Sequence, residues 1–138
     1  MPLFIPDGGI FYRHKGTVRK EHFIIMNASV AIQVLPAVKD DDRELCRIVD
    51  EVIAYIKSQG LPTSVGPFET TIEGDYDLCM EIVKNCQLVG AKAGCGHMMT
   101  YVKIDYRAEG DVMSTDHKIG KYHPTDAEFA PKEEASAA

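Results

Sequence analysis

Ser64-Val-Gly-Pro-Phe-Glu-Thr-Thr-Ile-Glu-Gly74 is the stretch on which the fold turns. Gly66-Pro67 breaks a first extended run, and Thr70, Thr71 and Ile72 begin a second β-prone run that ends at Gly74, directly before Asp75. Aspartate in that position suits the start of a helix. A hairpin that hands the chain to a helix, with another helical pattern before it, is the middle of a split βαβ unit.

The flanks supply the remaining parts. Ala28 to Leu35 alternates Val30, Ile32 and Val34 with Ser29, Ala31 and Gln33, the period of a half-buried strand, and Pro36 closes it. From Arg43 to Gln59, Leu45, Ile48, Val49, Val52, Ile53 and Ile56 recur at steps of three and four and form one apolar helix stripe. Asp41 with Glu44 resembles a capping box, and Gly60 followed by Leu61-Pro62 stops the helix. A second helix is expected from about Tyr76 to Val89, with Cys79, Ile82, Val83, Cys86 and Val89 on its inner side. The glycine-rich segment Gly90 to Gly96 is expected to end that helix and turn the chain. Met98 to Tyr106 then reads as the last strand, with Val102 and Ile104 inward.

The order β-α-β-β-α-β gives an α+β, ferredoxin-like sandwich: a four-stranded antiparallel sheet with both helices on one face. Three segments are expected: an irregular arm over 1–25, the folded domain over 26–122, and a mobile tail over 123–138. The arm carries Arg13, His14, Lys15, Arg19 and Lys20 without periodicity and without the continuous apolar stretch of a signal peptide. Met26, just before the first strand, is a possible start of the working protein.

At 138 residues and net charge −6, the chain disfavours nucleic acid or an anionic membrane as its main partner. An RNA-recognition sheet also needs stacking aromatics on its central strands, and Thr70-Thr-Ile-Glu73 has none. The small core makes self-association into a dimer or tetramer the expectation. The four cysteines form no Cys-x-x-Cys pair; Cys46, Cys79 and Cys86 read as small core residues, and reduced thiols in a cytoplasmic protein are expected. Cys95-Gly-His97 offers two ligands and no complement, so no metal site is expected. Gly-x-Ser-x-Gly, phosphate-loop and His-Glu-x-x-His patterns are all absent from the sequence, so an enzyme, one of three competing classes of function, would need an unrecognised constellation with a histidine or metal converging on a pocket, and the core offers His97 alone.

Strand alternation places Ser29, Ala31, Gln33, Thr71, Glu73, Tyr101, Lys103 and Asp105 on the sheet face turned away from the helices. A face so rich in hydrogen-bonding groups can be a solvated surface, a polar subunit interface, or a pocket for a small polar ligand.

Ala31-Ile-Gln-Val-Leu-Pro-Ala-Val38, Gly60-Leu-Pro-Thr-Ser-Val-Gly-Pro67, Thr70-Thr-Ile-Glu-Gly74 and Val102-Lys-Ile-Asp-Tyr-Arg107, in this order, resemble the thiamine-binding domain family over about Ser29 to Tyr122. The resemblance implies a ferredoxin-like fold, dimers associating into tetramers, and binding of thiamine or its hydroxymethylpyrimidine half without catalysis or a further cofactor. It implies ligand contacts at Gln33, Thr70, Thr71 and Glu73. Thr71 and Glu73 rank highest among them, because a carboxylate can accept from an aminopyrimidine amino group and offset a thiazolium charge. Lys103 opposes a cationic ligand on that face unless Glu73 or Asp105 neutralises it. The alternative function is a structural or regulatory oligomer whose polar sheet face is the subunit contact.

Overall fold

The computed structural model describes residues 2–4, 10–12 and 25–123. Two short strands, β1 (Pro2–Phe4) and β2 (Ile10–Tyr12), pair antiparallel with each other. The arm expected to be irregular over 1–25 therefore contains a pair of short antiparallel strands, two runs too short to show a period. The rest of that arm up to residue 24, and the tail from 124 to 138, lie outside the described residues.

The body comprises β3 (Ala28–Pro36), α1 (Asp42–Ser58), β4 (Thr63–Val65), β5 (Thr70–Gly74), α2 (Tyr76–Lys92), β6 (Met98–Tyr106), α3 (Thr115–Ile119) and a 3-10 turn at Gly120–Tyr122. Its sheet has the order β4-β5-β3-β6, antiparallel throughout, as the ferredoxin-like reading requires. Both long helices pack on β3 and on each other.

Local signals set the helix ends. The Asp41 carboxylate accepts from the Glu44 N–H at 3.0 Å and starts α1. Gly60, at φ +76°, sits just past the C-cap Gln59 in the left-handed region where glycine carries no steric cost. At α2, Asp75 accepts from the Leu78 N–H at 3.0 Å and the Asn27 side chain accepts from the Tyr76 N–H at 2.9 Å. Two of the donors that every helix start leaves open are thereby satisfied.

Val30, Ile72, Ile48, Ile56, Ile82, Cys79 and Cys86 are the largest fully buried side chains among the described residues. Each such isoleucine contributes about 1.5–3 kcal/mol relative to exposure. The helices are tied together at their surface as well, by Asn85 donating to the Tyr55 hydroxyl at 2.9 Å and Arg47 donating to the Ala93 carbonyl at 2.6 Å.

Three expectations are corrected. Helix α2 does not end at Val89 but continues through Gly90 to Lys92. A Cβ at Gly90 would lie 3.0 Å from the Met98 thioether, so this glycine lets the start of β6 close onto the helix. Cys46 is exposed and not a core residue, because it falls off the apolar stripe of α1. Ile104 is 46% exposed, although it stands in register with buried Val30. β6 is an edge strand, and it is Met98 and Val102, in its first half, that pack against the core.

Candidate functional site

The strand register assembles the site. Ser29 lies opposite both Glu73 and Asp105, Ala31 opposite Thr71 and Lys103, and Gln33 opposite Tyr101. Directly opposed residues point to the same face, so the polar face expected from alternation is real and includes Gln33, Thr71 and Glu73. Thr70 stands opposite Ile32, on the helix side, and is only 4% exposed. A one-residue step along a strand reverses the face, so the two adjacent threonine side chains point to opposite faces of the sheet.

Part of the polar face is covered. After β6 the chain turns at Gly110 and returns beside the start of β3, where Val112 N–H donates to the Met26 carbonyl at 2.9 Å and Met26 N–H donates to Asp111 Oδ1 at 3.2 Å. Helix α3 follows, with Ser114 accepting from the His117 N–H at 3.0 Å as its cap. Its first residue, Thr115, donates its N–H to the Glu73 carboxylate. Lys118 Nζ lies 3.4 Å from Asp105 Oδ2.

Between this helix and the sheet is a recess of about 340 Å³. Ser29, Ala31, Thr71, Lys103 and Asp105 form its floor, Ile104 its edge, and Thr115, Lys118 and Ile119 its roof. Ala31, with only a methyl group, sits between the longer Thr71 and Lys103 in the register and leaves the floor its depth. The charges are arranged in pairs. Lys103 donates to Glu69 Oε1 at 2.8 Å, and Lys118 is paired with Asp105. The charged side chains that line the recess are Lys103, Asp105 and Lys118, while Glu69 pairs with Lys103 from outside the lining and Glu73 is bound to Thr115. Neutralisation of Lys103 thus falls to Glu69 and not to Glu73 or Asp105.

The four expected ligand contacts are separated by this geometry. Thr71 lines the recess, and Glu73 stands at its border bound to α3. Gln33 and Thr70 instead border a smaller groove of about 70 Å³ between α1 and the β4–β5 turn, among Val49, Ile53 and Phe68. Thr115, Lys118 and Ile119 were not among the expected residues. Ser114, a good N-cap residue, and the single apolar Ile119 are the only marks of α3 in the sequence, and five residues are too few to show a helical period.

Among the described residues, no group of three or more His, Cys, Asp or Glu side chains converges to hold a metal ion. No helix among them is long and apolar enough to cross a membrane. Burial pushes the Cys79 and Cys86 thiols up to about 12, with the nearby Asp75 charge adding to the effect on Cys79. Both are protonated at neutral pH and are poor nucleophiles.

The sequence model of the family described as "Thiamine-binding protein" matches residues 30–123. A UPF0045 family protein of Clostridium perfringens is 46% identical over 94 residues, which is 68% of this chain and 95% of the relative. Among solved structures, a domain of unknown function from Bacillus cereus is 32% identical with a TM-score of 0.61, covering 75% of this chain and 93% of that one. A Thermotoga maritima protein, described provisionally as acting in thiamine biosynthesis or salvage, is 33% identical with a TM-score of 0.61, covering 69% of this chain and 97% of that one.

Proposed function

The chain belongs to the thiamine-binding protein family, and from that premise we propose that it is a non-catalytic binding protein for thiamine or its hydroxymethylpyrimidine half. The supporting observation is the recess under α3. Its volume of about 340 Å³ falls within the range of about 300–1,000 Å³ usual for small-molecule sites. Thr71 and Ser29 bring hydroxyl groups that can donate to or accept from a pyrimidine edge. Lys103 and Lys118 are each paired with a carboxylate, Glu69 and Asp105, so neither ammonium group stands unpaired against a ligand with one positive charge.

Affinity for thiamine is expected to be on the order of micromolar, about 8 kcal/mol at standard state. Calorimetric titration with thiamine, hydroxymethylpyrimidine and thiamine pyrophosphate tests the reading. Heat from thiamine or hydroxymethylpyrimidine supports it, and no heat from either at millimolar concentration refutes it.

A second reading concerns assembly and can hold together with the first. Beyond the part covered by α3, the same sheet face presents Leu35 opposite Met99 and Tyr101 opposite Gln33, with Tyr101 53% exposed. Large apolar groups grouped on a face that no described element covers suit contact with a second copy of the chain. A homodimer or homotetramer that buries Leu35, Met99 and Tyr101 is the corresponding proposal.

A further inference from the structure

We infer that Glu73 is a positioning residue, which holds α3 in place as the roof of the recess and does not itself contact the ligand. This rests on the recess being the binding site. Glu73 is 6% exposed, its carboxylate accepts the N–H of Thr115, and it is absent from the recess lining.

Everything the roof contributes comes from one short helix. Thr115, Lys118 and Ile119 are spaced by three and four residues, so they share the face of α3 that looks onto the sheet. A five-residue helix has little stability of its own and depends on its attachments. A second attachment to the sheet, Lys118 with Asp105, is a partly exposed pair at 3.4 Å, a kind of contact that contributes little. The buried carboxylate at the Thr115 N–H is the stronger hold, being a charge-assisted hydrogen bond shielded from water. Removing it lowers the fraction of molecules in which the roof is closed, and apparent affinity falls by that fraction whatever the ligand's charge.

The test uses the full chain, with two variants read in two ways. In Glu73→Gln the amide oxygen still accepts, so binding should fall by less than about threefold; in Glu73→Ala it should fall by roughly tenfold or more. The positioning role requires thiamine and uncharged hydroxymethylpyrimidine to lose affinity by the same factor. Hydrogen exchange in the absence of ligand should accelerate at the amides of 115–119 in Glu73→Ala, with α1 and α2 unchanged. Should Glu73→Ala fail to fold, Thr115→Pro removes the N–H donor together with a threonine side chain of the roof, at the first helical position where proline is tolerated, so it is read by exchange alone, which should accelerate at the amides of 116–119. Loss confined to thiamine would overturn the inference, because it marks a charge facing the ligand. Unchanged exchange at 115–119 would also overturn it. If neither compound binds the wild type, the binding proposal falls, and the exchange measurement still decides whether Glu73 holds α3.

Discussion

Thr70 and Thr71 are chemically identical neighbours with opposite surroundings, one against Ile32 on the core side and the other on the recess floor. Thr71→Val should weaken thiamine binding about fivefold, the loss of one neutral hydrogen bond of about 1 kcal/mol, and Thr70→Val should leave it within about twofold. Titration of the two variants side by side checks this, and equal losses would count against the site. The alternation that separates them was legible in the sequence; what each face meets was not, since that depends on α3. The cysteines give a second prediction at this scale. Only Cys46 is exposed, so in the native protein a thiol reagent should label one cysteine rapidly and the other three only on unfolding. Cys79 and Cys86 keep their protons in the fold up to about 12, whereas in the unfolded chain they ionise from about 9. The unfolded state therefore binds fewer protons between these values, and stability falls as pH rises above 9. Burial also raises the Tyr55 hydroxyl, which adds with the same sign. Urea midpoints that are flat from pH 7 to 8.5 and decline beyond 9 are the expected result.

Elements with strong local signals could be read without a structure. The stripe of α1, its Asp41 cap and its Gly60 stop all operate within one segment, so the sequence pattern contains their physics. Asp75 is the corresponding signal for α2, and Asp75→Ala should cost about 1 kcal/mol, seen as a fall in melting temperature of about 4–8 °C. Two features could not be read locally, because their causes lie far along the chain. Gly90 resembles a helix stop and is instead a close-packing position whose neighbour, Met98, belongs to the next strand. α3 is held by contacts to Glu73 and Asp105, in β5 and β6, and so leaves almost no mark on residues 115–119 themselves. A site whose roof is fixed by tertiary contacts has its floor written in strand periodicity and its roof written nowhere in particular.

At the scale of the molecule, the sheet face divides, among the described residues, into a half covered by α3 with the recess and a half with exposed Leu35, Met99 and Tyr101. Sedimentation at micromolar concentration should show a dimer or tetramer, and Tyr101→Glu should shift the population toward monomer by placing a charge in the contact. The body begins its contacts at Met26 and Asn27, which bond to Val112, Asp111 and Arg107, whereas β1 and β2 pair with each other as a separate sheet. Deleting residues 1–25 should consequently leave assembly unchanged and the melting temperature within a few degrees, which a thermal scan of the truncated chain would show.

The binding proposal is tested most directly by titrating the full chain with thiamine and following its backbone amides by NMR. The account predicts saturable shifts at Ser29, Ala31, Thr71, Lys103 and along 115–119, with an affinity on the order of micromolar. No saturable shift at millimolar thiamine, or shifts confined to the groove formed by α1 and residues 66–70, would contradict it.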